Sequence, residues 1–230
     1  MGIARQTGNA QKSSKKVGTV KPGQNPSEAL EEIKPKILER DKNTCRFCGF
    51  KADKYQQILI INQNPEDLRP ANLATACIFC HQCFILDRVS AMRSGALIWC
   101  PEISQGELNQ IAKAIYIARI SQGPMADAAR KTLDILMARR EEAKSRLSSD
   151  DPFILATVLK DYLGGKSYAA RTTKLEGIRL LPLDRRIIKE GDLEFNQFPQ
   201  ILAYWRSKDG PFGLTPPNKW LDNFSEIVAA

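Results

Sequence analysis

The chain has one histidine, His81, among its 230 residues. Imidazole is the usual proton acceptor near neutral pH and the commonest metal ligand, so chemistry that needs two histidines is excluded at the outset. No run of about 18 apolar residues occurs, which excludes a bilayer-spanning helix and direct membrane insertion. The N-terminus has no apolar core of the signal-peptide kind, and the expected location is the cytoplasm. No acidic residue occurs in positions 1–24, which carry Arg5, Lys12, Lys15, Lys16 and Lys21 and almost no large apolar side chain. Such a stretch cannot bury enough surface to fold, so it reads as a disordered basic tail. More than half of the net charge of +8 sits there. A tail of this kind suits nucleic acid or an anionic surface, and equally a solvated leader.

What is present has ordinary globular composition, 43% apolar and 26% charged. Asn25-Pro26-Ser27-Glu28 carries the cap, the first-turn proline and the acidic third position of a helix start, and Leu30, Ile33 and Ile37 repeat at helical spacing up to Arg40. Residues 44–49 form a tight knuckle closed by Gly49. The β-branched run 57–61, followed by Asn-Gln-Asn-Pro, predicts a strand and turn. Phe84-Ile85-Leu86 is expected to continue a helix that begins near Cys80. A second strand is expected over 96–99, then a helix opened by the capping box Ser104-x-x-Glu107 with Leu108, Ile111 and Ile115 on one face. Gly123-Pro124 breaks it. One long amphipathic helix is expected over 125–147, on Ala129, Leu133, Leu136 and Arg140. Asp151-Pro152 starts another helix, stopped by Gly164-Gly165. The run 178–182 is too short to classify, and 198–205 reads as helix. No internal repeat is present. The fold class is α+β, mostly helical, divided into a tail (1–24), a zinc-centred module (25–122) and a helical C-terminal region packed on it (123–230).

The chemistry lies in the cysteines. Reduced thiols are the rule in the cytoplasm, so six cysteines there are poor disulfide candidates. Cys45-x-x-Cys48 and Cys77-x-x-Cys80 each aim two sulfurs at one point, and two such knuckles complete a zinc tetrahedron. Cys80-x-x-Cys83 has the same spacing, which makes Cys83 an alternative ligand. The match between the two knuckles favours Cys77 with Cys80, leaving Cys83 and Cys100 as small buried residues. Four thiolates fill the shell and leave no position for water, so the expected cofactor is one structural Zn2+.

Arg40-Asp41, Cys45-x-x-Cys48-Gly49, Asn72-Leu73 and Cys77-x-x-Cys80-His81 together resemble the zinc-binding subset of HNH endonucleases, and the likeness implies a ββα module around the metal. Those enzymes need a histidine on the first strand as general base. Here the corresponding positions are Gln57 and Ile58, neither of which accepts a proton at neutral pH, so no catalytic residue is expected and no nuclease activity. His81 reads as a surface or helix-capping residue.

A nearer resemblance follows from Glu39-Arg-Asp-Lys-Asn-Thr-Cys-Arg-Phe-Cys-Gly-Phe50, from Ala76-Cys-Ile-Phe-Cys-His-Gln-Cys-Phe84, and from the run between Leu97 and Asn109. These stretches resemble the IcmJ/DotN family of type IVB (Dot/Icm) secretion and related conjugation systems, across roughly residues 26–120. The resemblance implies a non-catalytic adaptor of the coupling complex, recruited to the inner-membrane apparatus by binding the C-terminal extension of a DotL-like coupling ATPase, alongside other coupling-complex subunits. The alternative is a nucleic-acid-binding protein derived from an HNH nuclease and acting on conjugative DNA. Trp99, Phe195, Phe198, Trp205, Phe212 and Trp220 are candidate anchors for a partner peptide, or else the closure of a helical core.

Overall fold

Helix α1 (Pro26–Arg40) starts where its capping signals place it: the Asn25 side chain accepts the Ser27 N–H at 2.9 Å, and Pro26 fills the first turn. The computed structural model describes residues 23–162 and 170–229, so the tail expected over 1–24 lies almost wholly outside the described residues. Ala29 and Ile37 on α1 are buried against Ile58, Leu68 and Leu73. Two consecutive left-handed residues, Lys42 and Asn43, then turn the chain sharply toward the first knuckle.

The Arg40-Asp41 pair ties that turn to the sheet. The Arg40 guanidinium donates to both Asp41 carboxylate oxygens (2.9 and 2.8 Å) and to the carbonyls of Pro70 and Leu73 (2.6 and 2.8 Å). Asp41 also accepts the Thr75 N–H at 3.0 Å. Burial alone would raise the Asp41 carboxyl, but the guanidinium and the Thr75 N–H outweigh it and hold it at about 2. A depressed carboxylate contributes its stability above the ordinary carboxylate range and loses it as the pH falls toward 2. Asp41→Asn is therefore expected to lower stability at pH 7 by about 2 kcal/mol, the scale of hydrogen bonds to a charged group. Urea denaturation of the two proteins checks this, and equal midpoints at pH 7 would remove the clamp from the account.

Strand β1 (Gln57–Ile60) pairs antiparallel with β2 (Leu73–Ala76), with Gln57 opposite Ala76 and Ile60 opposite Leu73. All four residues of β2 are buried. Helix α2 (Ile78–Gln82) follows directly, giving the order strand, strand, helix. The expected continuation of this helix through 84–86 does not occur. The chain leaves the helix at Cys83 and Phe84, Ile85 turns away (φ −130°, ψ 47°), and a separate helix α3 (Leu86–Val89) begins. Tertiary contacts explain the break: Phe84 meets the Phe47 ring at 5.0 Å, while Val89 is drawn into a second cluster with Met92, Leu97 and Leu180.

Strand β3 (Gly95–Trp99) pairs antiparallel with β4 (Ile178–Pro182), the run left unclassified above. The two approach so closely that a Cβ on Gly95 would lie 2.9 Å from the Leu180 side chain. Helix α4 (Gln105–Arg119) opens with the full capping box at Ser104 and Glu107. Its buried face runs through Leu108, Ala112, Ile115 and Tyr116 and includes Asn109 and Lys113, whereas Ile111 is 37% exposed at the edge. The expected Leu108–Ile111–Ile115 face is thus rotated, because α4 turns its polar pair toward the cysteines.

Gly123 (φ +86°) ends that segment, and α5 (Pro124–Ala138) packs back on α4. The single helix expected over 125–147 is two, with α6 (Arg140–Leu147) separated at Arg139. The Arg139 backbone flattens to ψ −5°, its carbonyl accepts the Trp99 N–H at 3.3 Å, and its guanidinium pairs with Glu102 at 2.6 Å, so β3 and the loop after it hold the joint. Helix α7 (Pro152–Thr157) is capped by Asp151 and widens into a π-type turn over Val158–Tyr162. Its expected stop at Gly164-Gly165 lies outside the described residues. A short helix α8 (Arg171–Lys174) precedes β4. The hairpin β5 (Ile187–Glu190) and β6 (Leu193–Asn196) was not anticipated from the sequence, and neither was the last helix, α10 (Trp220–Ala229). Helix α9 (Phe198–Arg206) was.

The architecture among the described residues is α+β, with helix prevailing over three two-stranded antiparallel sheets. The largest apolar cluster joins Cys45, Cys77, Cys80, Phe50 and Phe79 to Leu108 and Tyr116 of α4 and to Phe198, Ile201 and Trp205 of α9.

Candidate metal centre

Each knuckle is shaped by its own backbone. A bridge between Thr44 and Lys51 brings the chain back on itself, with the Cys45 N–H bonded to the Phe50 carbonyl at 2.9 Å. The Gly49 N–H then bonds the Cys45 carbonyl, with Gly49 at φ +73°, a left-handed conformation that favours glycine. In the second knuckle Cys77 is the residue before α2 and Cys80 lies in its first turn, so helix geometry sets the two sulfurs on one side. The sulfur atoms of Cys45, Cys48, Cys77 and Cys80 lie within 4.8 Å of one another, and the Cys48 and Cys77 sulfurs are 3.7 Å apart. A tetrahedron with metal–sulfur bonds of about 2.3 Å has sulfur–sulfur edges of about 3.8 Å. The four residues therefore fit a tetrahedral metal ion. Cys45, Cys77 and Cys80 are buried and Cys48 is half-buried.

The protonation of this cluster shows what the site demands. The Cys45 thiol is pulled far below the ordinary range by hydrogen bonds from Cys48, Cys77 and Cys80, while Cys77 is pushed well above it by Cys45 and Cys48. Four sulfurs this close lose all of their protons only if a cation compensates the charge.

Cys83 lies outside this cluster. It is half-buried, its Sγ donates to the Phe79 carbonyl at 3.3 Å, and burial pushes its thiol up to about 12. Cys100 is buried at the end of β3. His81 stands in the last turn of α2, off the open surface. It is half-buried, its Nδ1 has no partner in the interior, and burial, with Arg186 and Arg88 nearby, pushes the imidazole down to about 4. It is neutral at pH 7. Gln57, one of the two positions set against the HNH histidine, is half-buried, and Ile58, the other, is buried opposite Thr75.

Two residues that sequence reasoning missed complete the surroundings. The Asn109 side-chain amide donates to the Cys80 sulfur at 3.2 Å, and the Lys113 ammonium stands 3.6 Å from the Cys48 sulfur. Both are 0% exposed. Gln110 donates to the Cys48 carbonyl at 2.6 Å, so α4 is the wall of the site. The available signal was a pair of polar residues four apart beside an apolar stripe, which ordinarily marks the solvent side of a helix.

The aromatic residues divide. Trp205 and Phe198 are core, at 1% and 2% exposed, and do not offer groove anchors. Phe212 and Trp220 pack partly against that core, Phe195 is half-buried, and the Arg146 guanidinium lies 4.2 Å from the Trp99 ring.

No family model matches the chain. The type 4 apparatus protein DotN of Legionella pneumophila (strain Philadelphia 1) is 32% identical to it over 167 residues, which cover 71% of this chain and 78% of that protein. With this identity sustained over more than two thirds of its length, the chain belongs to the IcmJ/DotN family.

Proposed function

We propose that this chain is a component of a type IV secretion apparatus that acts there without catalysis, as a zinc-stabilised adaptor of the coupling complex. The observation that carries the reading is the similarity to the Legionella apparatus protein along 71% of the chain. Two features support the mechanical side of it. Four sulfurs within 4.8 Å of one another fill a tetrahedral shell, which suits a structural Zn2+ and leaves no open position for water. The strand–strand–helix order around them is consistent with an HNH-like ββα module, with Gln57 and Ile58 where the general base would stand. On this reading the metal holds rigid a surface that binds the C-terminal extension of a DotL-like ATPase and, through it, the other coupling-complex subunits. Among the described residues no helix is long and apolar enough to cross a membrane. On the same reading the adaptor is recruited to the inner-membrane apparatus from the cytoplasm through that partner.

The test is direct binding between the purified full chain and the C-terminal segment of the DotL-like ATPase from the same organism. Association at micromolar concentration is expected, with no cleavage of plasmid DNA when Mg2+ or Mn2+ is added. Absence of binding, together with salt-sensitive DNA binding that survives removal of residues 1–24, would replace the adaptor with the nucleic-acid reading.

A further inference from the structure

Lys113 is 0% exposed, yet among the described residues no carboxylate pairs with it. Its ammonium donates to the Asn109 carbonyl at 3.0 Å, reaches the Gln110 side-chain oxygen at 3.5 Å, and points its remaining contact at the Cys48 sulfur at 3.6 Å. The faces of Phe50 and Phe79 lie 4.7 and 5.4 Å away. A buried ammonium is costly unless a negative charge balances it, and two neutral amide oxygens with two ring faces supply no such charge. Neutral thiols would supply none either. Four thiolates around a divalent ion carry a net charge of −2, and that charge stands where the ammonium points.

We infer that Lys113 is the counterion of the four-cysteine centre: its position commits the site to a divalent ion held by four thiolates, and it sets how firmly the ion is kept. The inference rests on the zinc reading above and adds a residue to it. The physical step is electrostatic. Zinc leaves a thiolate site once a sulfur takes up a proton and releases the ion, which then lies open to a chelator, and a fixed positive charge beside Cys48 lowers that sulfur's attraction for the proton. The Asn109 amide acts on Cys80 in the same sense by hydrogen bonding to its sulfur. Lys113 and Asn109 are positioning residues that act through the ligands. Their spacing of four residues puts both on one side of α4, above opposite knuckles.

Lys113→Met separates this from packing, because methionine keeps the length and fits between two rings. If the lysine were only an ill-placed charge, the change would be neutral or stabilising, and zinc would be kept. On the counterion account the full-length variant still binds zinc but releases it to excess EDTA about 10–100-fold faster than the wild type, the usual scale for outer-shell ligand partners. In the cobalt-substituted variant the sulfur-to-cobalt charge-transfer band moves to longer wavelength, since a thiolate without its cation gives up an electron more easily. Equal release rates with an unmoved band overturn the inference while leaving the zinc reading intact. A wild-type protein that carries no zinc overturns both. Should Lys113→Met be insoluble, the double variant Cys48→His, Lys113→Met decides, because a neutral imidazole removes one negative charge and the need for the cation with it. The pair is expected to be soluble with zinc bound, and its insolubility counts against the counterion.

Discussion

Cys45→Ser and Cys77→Ser are each expected to lose the metal and to leave the chain without a cooperative melting transition. Both side chains are 1% exposed and both belong to the largest apolar cluster, so the centre lies inside the core. Binding of a structural zinc ion contributes on the order of 10–16 kcal/mol in small zinc domains. The net stability of a domain is about 5–15 kcal/mol, so losing most of the former removes all of the latter. A serine also leaves a buried hydroxyl facing three thiols that no longer share a cation. Cys83→Ser is the contrast. Its sulfur donates to a backbone carbonyl, a bond a hydroxyl also makes, and it stands apart from the four-sulfur cluster. Zinc content near the wild-type value and a cost of about 1 kcal/mol are expected there. Metal analysis with calorimetric melting of the three variants checks both halves, and zinc loss in Cys83→Ser would place the wrong sulfur in the shell.

Trp205→Ala carries the second large effect. The indole is 1% exposed and meets the Phe50 ring at 5.4 Å and the Phe79 ring at 5.6 Å, both edge-on, with Phe198 and Phe212 at 6.3 and 6.5 Å. Phe50 follows Gly49 of the first knuckle, and Phe79 lies between the two cysteines of the second. One side chain from α9 therefore backs both cysteine knuckles. Removing a buried tryptophan costs about 3–5 kcal/mol, a transfer contribution plus that of the cavity left behind. The urea midpoint should fall accordingly, and zinc release should quicken because both knuckles lose their support. Trp205→Phe fills most of the space and is expected to recover more than half of the loss. A midpoint unchanged in Trp205→Ala would show that α9 does not support the centre.

The four-cysteine cluster was legible in its two C-x-x-C turns, because each turn needs only its own residues to converge. The residues that complete its charge were hidden for an equally physical reason. A lysine and an asparagine on a helix ordinarily face water, and burial follows only when something opposite compensates them. That compensating charge comes from cysteines 29 and 65 residues away in the chain. Trp205 and Phe198 were similarly ambiguous, since an aromatic stripe at helical spacing serves a groove or a core equally well.

What the sequence by itself determined was local. Asn25-Pro26, Ser104-x-x-Glu107 and Asp151-Pro152 each start a helix where they stand, because a cap is satisfied by the next two or three N–H groups and needs no distant partner. The two C-x-x-C knuckles belong to the same class. Only the tertiary structure decided the rest. The run 178–182 became a strand because β3, some 80 residues earlier, offered it a free edge. The helix expected over 125–147 parted at Arg139 because Trp99 and Glu102 hold its carbonyl and guanidinium. Helix α4 turned its polar pair inward because four sulfurs lay there to receive an ammonium and an amide. In each case the local preference was weak or of the wrong sign, and a contact from far along the chain outweighed it.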